Sequence, residues 1–193
     1  MTDPTAKSSP VRIAVSALAM SAAALIALVS SEGYTDRAII PTQGDKPTIG
    51  FGSTVHEDGE PARMGDTITP VRALRTAHAH ISKDEAAFRA SLPAVALTQG
   101  EYDLYLDFTY QYGIGNWRGS SMRKRLLETT TAKPAALPRL YRASCDALLA
   151  WRYSAGYDCS TTINGQPNKR CWGVWERQLQ RHGKCLAEQG GSA

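Results

Sequence analysis

Glu32, Asp45 and Thr48 are the residues of this chain whose types and order could carry chemistry. Glu32 follows an uncharged apolar run and precedes a turn-rich stretch, so it can stand at a junction between structural lobes. Partial desolvation there would keep its carboxyl protonated near neutral pH. A protonated acid that gives its proton to a leaving oxygen, with a second group that activates water or steadies a positive carbon, is the pair needed to break a glycosidic bond. The nearest acidic candidate for the second role is Asp45, in Gly44-Asp45-Lys46-Pro47, although the same four residues are good turn chemistry. Asp36 is the runner-up, one turn after Glu32 if the helix continues to Arg37. Thr48 could orient a water or a substrate group, or be a half-buried strand threonine. His56, His78, His80 and His182 are scattered, and His78 and His80 point to different sides of a helix, so neither a metal nor any other cofactor is expected.

The elements that must position these groups fall into two kinds. Between residues 39 and 69, Pro41, Gly44, Pro47, Gly50, Gly52 and Gly59 punctuate short apolar pieces such as Thr48-Ile49-Gly50-Phe51-Gly52, which predicts a small sheet with tight turns. From Thr69 onward the signals are helical. Thr69-Pro70 reads as N-cap and first helical residue, followed by Ala73, Leu74, Ala77 and Ile81 at helical spacing. Thr98-Gln99-Gly100-Glu101 reads as a capping box ahead of an apolar face of Tyr102, Leu104, Tyr105, Phe108 and Tyr112. Further helices are expected from Ser120 or Ser121 to Leu127, from Pro138 to Trp151 and from Val174 to Leu186. The fold class is α+β: a small β lobe followed by a larger, mainly helical lobe, with a cleft expected between them.

Composition is ordinary for a globular protein, and the net charge of +4 suits an anionic partner such as a bacterial wall or membrane surface. Cys145, Cys159, Cys171 and Cys185 form no CxxC pair and read as two disulfides; the three possible pairings stay open, as does the alternative of free buried thiols. The run Ile13–Ser31 is uncharged and 19 residues long, near the minimum for a membrane span, with Lys7 and Arg12 before it. Ala and Ser dominate it, so its hold on a bilayer would be weak. A cleaved signal peptide with a site near Ala22-Ala23-Ala24, a permanent anchor or buried core helix, and a marginal span that inserts and later leaves are the competing readings.

Glu32-Gly33-Tyr34, followed by Pro47-Thr48-Ile49-Gly50-Phe51-Gly52-Ser53-Thr54, resembles the signature of the phage-type lysozymes, glycoside hydrolase family 24. Glu32 matches that family's acid and Thr48 its threonine. The middle acidic or cysteine position does not match: Pro41 stands nine residues after Glu32 and Thr42 six before Thr48, and the Glu-to-Thr spacing is one residue longer. A one-residue change in the loop would bring Asp45 into that role. Residues 97–103 and 107–115 resemble the family's helix ending in a glycine turn, Ser120 to Leu126 the start of the next helix, and Trp172 to Arg177 a late segment that closes the helical lobe. The resemblance implies Tyr110, Gly113, Ser120 and Ser121 as substrate-binding residues. Tyr110, Tyr112 and Trp117 could stack on sugar faces or belong to the core, and Trp175 is expected in the core.

The resemblance also implies the activity: hydrolysis of the β-1,4 bonds between N-acetylmuramic acid and N-acetylglucosamine in peptidoglycan glycan strands, causing host cell lysis. The composition of residues 13–31 resembles the signal-arrest-release segment of certain endolysins. That implies a division into residues 1–31, a cytoplasmic tip and N-terminal apolar membrane helix, and residues 32–193, a lysozyme-like catalytic domain. The protein would sit in the host inner membrane as a single-pass chain facing the periplasm, then be released there as a monomer that binds no nucleic acid. A lytic transglycosylase, which needs the acid but no water-activating partner, and a non-catalytic wall-binding module are the alternatives.

Overall fold

A computed structural model describes residues 11–41, 44–163 and 165–190, and of Ser31, Glu32 and Ile163 it describes the backbone. Thr42, Lys7 and the rest of the polar tip lie outside these residues. The chain divides into two compact units, one of residues 19–88 and one of residues up to Leu18 together with those from Arg89 onward.

The apolar run is not one helix here. Ile13–Ala14 is a strand, β1; Val15–Ala17 is a 3-10 turn; only Ala22–Glu32 is an α-helix, α1. Ser21 caps α1, its side chain accepting the Ala24 N–H at 3.1 Å. The break has a local and a tertiary cause: Ser21 caps α1 afresh, and the first residues of the run pair instead with Ala96 and Leu97. The run is buried piecemeal at Val15, Leu18, Leu28 and Val29 while Ile26 stays exposed. Among the described residues, no helix is long and apolar enough to cross a membrane.

Residues 19–88 form the β-containing unit. The expectation that the helix continues to Arg37 is corrected: α1 ends at Glu32, Gly33 follows at φ 72°, and Thr35–Ile39 is a strand, β2. Glycine at that φ redirects the chain without the strain a Cβ would add, so the helix stops where Gly33 stands. Asp36 therefore lies on a strand, not one helical turn from Glu32. Strand β2 pairs antiparallel with β3, Thr48–Gly50, in the register Thr35↔Gly50 and Ile39↔Thr48 with an irregularity between. Residues 66–68 add to its other side, the Ala38 N–H donating to the Asp66 carbonyl at 3.0 Å and the Ile68 N–H to that of Asp36 at 2.9 Å. Ala38, Ile49, Ala62, Ile68 and Ala73 make the small core, with Phe51 against it. The long helix α2, Pro70–Ala90, starts where Thr69-Pro70 predicts, with the Arg72 N–H on the Thr69 hydroxyl at 3.4 Å. Ala73, Ala77 and Ile81 are buried as expected, but Leu74, one position off their line, is 40% exposed.

The other unit is mainly helical. Strand β4, Ala96–Leu97, pairs with β1 and leads into α3, Gln99–Gly119. Thr98 and Glu101 form the expected capping box. Helix α3 breaks at Gly113 (φ 84°, ψ 154°) and resumes to Gly119. Ser120 then caps α4, Ser121–Glu128. Helix α5 covers Leu137–Asp146, and residues 147–150 tighten to a 3-10 turn, so the helix expected to reach Trp151 is shorter. Two small hairpins follow, β5 (Tyr153–Ser154) with β6 (Tyr157–Asp158) and β7 (Thr162–Ile163) with β8 (Gln166–Pro167), before α6, Trp172–Ala187. The core is aromatic: Tyr102, Tyr105, Phe108 and Trp117 are buried. The cysteines pair as Cys145–Cys185 and Cys159–Cys171.

Candidate active site

In the β-containing unit the candidate residues Glu32, Asp45 and Thr48 lie on or next to one hairpin. Glu32 closes α1 immediately before the end at which Thr35 pairs with Gly50. Thr48 starts β3 at the other end, half-buried, its hydroxyl 3.5 Å from the Ile39 carbonyl. Asp45 is exposed in the turn leading into β3. The structure thus brings Asp45 and Thr48 to the turn end of the hairpin, while Glu32 precedes its opposite end.

The segment after Thr48 explains why that sequence folds as it does. Ile49 is fully buried, and its N–H and carbonyl exchange hydrogen bonds with Ser53 at 2.9 and 3.0 Å. Closing that loop in three residues requires left-handed backbone at Gly50 (φ 66°) and Gly52 (φ 75°). A Cβ on Gly50 would fall 2.8 Å from the Ala73 Cβ, so glycine also sets how closely β3 approaches α2. Tyr34 fixes the chain after Glu32, its hydroxyl donating to the Ile68 carbonyl at 2.9 Å and its ring 5.5 Å from that of Phe51.

Two polar pairs here were not foreseen. The Ser53 hydroxyl donates to the Val55 carbonyl at 2.6 Å and lies 3.3 Å from His80 Nε2. With its proton committed to Val55, Ser53 is placed to accept from His80, which makes the pair a turn lock and not an activated nucleophile. His56 Nε2 lies 2.9 Å from Asp66 Oδ2, and this bond, with the Arg63 N–H, holds the Asp66 carboxyl below the usual carboxylate range. Among the described residues no cluster of three His, Cys, Asp or Glu could hold a metal.

In the helical unit, Gly113 is exposed at the break in α3, with open space where a Cβ would stand. Tyr110 is half-buried one turn before it. Ser120 is buried and its hydroxyl accepts the Arg123 N–H at 3.2 Å, whereas Ser121 beside it is exposed. Both serines line a groove of about 580 Å³ with Arg118, Arg123, Lys124 and Leu127. Trp117 is a core residue: it is fully buried and donates to the Ser91 hydroxyl at 2.8 Å. Tyr112 packs tilted against Phe108 and Trp151, with ring centroids 4.7 and 5.2 Å apart, and its hydroxyl accepts from Gln178 at 2.8 Å.

Asp107 is a site sequence reading missed. It takes Arg177 Nη2 on one oxygen and Arg181 Nε on the other, each at 2.7 Å. Arg181 is 3% exposed; burial lowers its basicity and the Asp107 carboxylate offsets that. The signal was present as two arginines four apart on one helix face, which must share a counter-charge if that face is buried. Arg177 is thereby a structural residue.

A helix ending in an acid, a small glycine-rich hairpin after it, and a helical unit broken at a glycine are the parts of a lysozyme-like α+β hydrolase. The chain belongs to the phage lysozyme family, whose model matches residues 29–172. It is 30% identical over 131 residues to the endolysin of Salmonella phage P22, a match covering 68% of this chain and 81% of that protein. The endolysin from Escherichia coli O157:H7 phage FAHEc1 superposes with a TM-score of 0.66 at 25% identity, covering 88% of this chain and 94% of the other. A P22 lysozyme variant superposes with a TM-score of 0.63 at 23% identity, covering 88% and 99%, a likeness of fold. The chain is a glycoside hydrolase, a lysozyme that degrades the peptidoglycan wall and so serves lysis.

Proposed function

We propose that the chain hydrolyses the β-1,4 bond between N-acetylmuramic acid and N-acetylglucosamine, with Glu32 as the acid that protonates the leaving oxygen. The observation that carries this is the place of Glu32: the last residue of an apolar helix, released into a hairpin by Gly33, in a segment that the family model covers. Asp45 activates water or steadies the positive sugar carbon, and Thr48 orients the water. Tyr110, Gly113, Ser120 and Ser121 contact the glycan, Gly113 and Ser121 through their exposed surfaces. Purified sacculi digested by Glu32→Gln, Asp45→Asn and Thr48→Ala variants test these roles. Loss of at least about a hundredfold is expected for Glu32→Gln, as for removal of a general acid. Undiminished digestion by that variant would overturn the assignment.

One observation favours a second reading. Asp45 is exposed in a turn at the hairpin end away from the one that follows Glu32. A transglycosylase would need Glu32 and no such partner. Reducing ends among the released muropeptides mean hydrolysis; anhydro-muramyl ends mean transglycosylation.

We also propose that residues 13–31 are held first in the host inner membrane and are then released, uncleaved, to the periplasm, where the chain works as a monomer. In this reading residues 1–31 are the targeting part and residues 32–193 the catalytic part. The support is that the same run has a second use in the folded protein: β1 pairs with β4, and Val15 and Leu18 are buried. Replacing the exposed Ala and Ser positions of the run by Leu is expected to trap the protein in the membrane fraction. Unchanged release of such a variant would remove release as the control.

A further inference from the structure

Arg12 stands just ahead of the apolar run and, by sequence, does nothing there beyond supplying a flanking charge. In the folded chain it enters the helical unit. Its Nε and Nη2 donate to the two carboxylate oxygens of Glu101 at 2.9 and 2.6 Å, and Nη2 also donates to Gln189 Oε1 at 2.8 Å. Its guanidinium lies 3.7 Å over the ring of Tyr141. Glu101 is 1% exposed and 89 residues away in sequence. It also accepts from Gln189 Nε2 at 2.7 Å and, as the capping-box residue of α3, from the Thr98 N–H at 2.9 Å.

A carboxylate buried this deeply needs a counter-charge, and Arg12 supplies it in the bidentate, ring-stacked form that only arginine offers. Gln189 in turn donates to the Cys185 carbonyl at 3.0 Å, which ties the site to the end of α6. The next residues continue the attachment. Ile13 and Ala14 pair with Leu97 and Ala96, the Val15 N–H donates to the Val95 carbonyl at 2.9 Å, and Val15 and Leu18 are buried.

We propose that Arg12 is a latch: Glu101, Gln189 and Tyr141 form a guanidinium site whose occupancy decides whether residues 12–18 are docked on the helical unit. With Arg12 withdrawn, Glu101 is left as a buried unpaired charge at the start of α3, so docking of the segment and completion of the helical unit are one event. The latch does not depend on the membrane reading. Where that reading holds as well, the site gives the flanking charge a destination once the run leaves the bilayer.

Hydrogen exchange of the full-length chain, read by peptide mass spectrometry, tests it with Arg12→Ala, Arg12→Lys, Glu101→Gln and the Arg12→Ala/Glu101→Gln double variant. Gln still serves a capping box, so Glu101→Gln removes the charge and leaves the cap. Arg12→Ala is expected to speed exchange at least tenfold in residues 13–18 and 95–98, with residues 70–86 unchanged. Adding Glu101→Gln restores part of that protection, because no charge is then orphaned. Arg12→Lys falls between wild type and Arg12→Ala, and carries the test if Arg12→Ala does not fold. Unchanged exchange in both Arg12 variants, or single-variant effects that simply add in the double variant, would overturn the proposal.

Discussion

Asp107 shows how much one carboxylate can hold. Two arginines of α6 converge on it, and one of them, Arg181, is almost wholly out of water. Replacing Asp107 by Ala leaves that guanidinium without its counter-charge. The expected cost is about 3 kcal/mol, measured by chemical denaturation, because removing one partner of a buried pair strands the other. Asp66 makes a contrasting case at the surface. Its carboxyl is held low mainly by the His56 hydrogen bond, then by the Arg63 N–H. A carboxyl depressed in the folded state adds stability that is present above its unfolded value and is lost as pH falls through the folded one. The thermal midpoint of wild type should therefore exceed that of Asp66→Asn at neutral pH, and the two curves should converge in acid. Parallel curves across the acid range would show that the His56–Asp66 pair contributes nothing.

At the scale of elements, the stops and starts are set by single residues. Thr98 closes the capping box of α3, and Thr98→Ala should cost about 1 kcal/mol in denaturant unfolding. Gly50 has two duties, a left-handed backbone and a close approach to Ala73. Gly50→Ala must then move β3 away from α2 or strain the turn, and a loss of about 1–3 kcal/mol is expected. Since Thr48 sits two residues away on the same strand, sacculus digestion should fall in that variant even at temperatures where it remains folded. Digestion retained at the wild-type rate would separate the hairpin's geometry from the chemistry.

For the molecule as a whole, the disulfides differ in reach. Cys145–Cys185 joins α5 to α6 across a sequence separation of 40, and Cys159–Cys171 spans 12 around the β7–β8 hairpin. Chain-entropy arguments give about 4 and about 3 kcal/mol for closing loops of those lengths. Cys145→Ser/Cys185→Ser should lower the unfolding midpoint of the helical unit more than Cys159→Ser/Cys171→Ser does. The latter should open residues 158–171 to protease first. Equal losses from the two pairs, with no local cleavage, would contradict this division. Both bridges suit an oxidising compartment, in keeping with an enzyme that meets the wall outside the reducing cytosol.

The sequence by itself determined what a few neighbouring residues can settle. Thr69-Pro70, Thr98 with Glu101 and Ser120 mark helix starts because each cap is satisfied within one turn. Ile49 to Ser53 close on themselves for the same reason, and the order of Glu32 and Thr48 was legible in the family pattern those turns belong to. Tertiary structure decided everything whose partner is distant. Cysteine pairing, the counter-charges of Asp107 and Glu101, and the core place of Trp117 depend on segments dozens of residues away. The apolar run is the clearest case: nothing within it forbids a single helix, since Ala is the best helix former, yet only part of it is one. Ala96 and Leu97 take its first residues as a strand and Val95 accepts the Val15 N–H, while Glu101 holds Arg12 just ahead of the run, leaving Ala22–Glu32 as its α-helical part. Local hydrogen bonds are encoded where they form, whereas burial is shared among residues that meet only once the chain has folded.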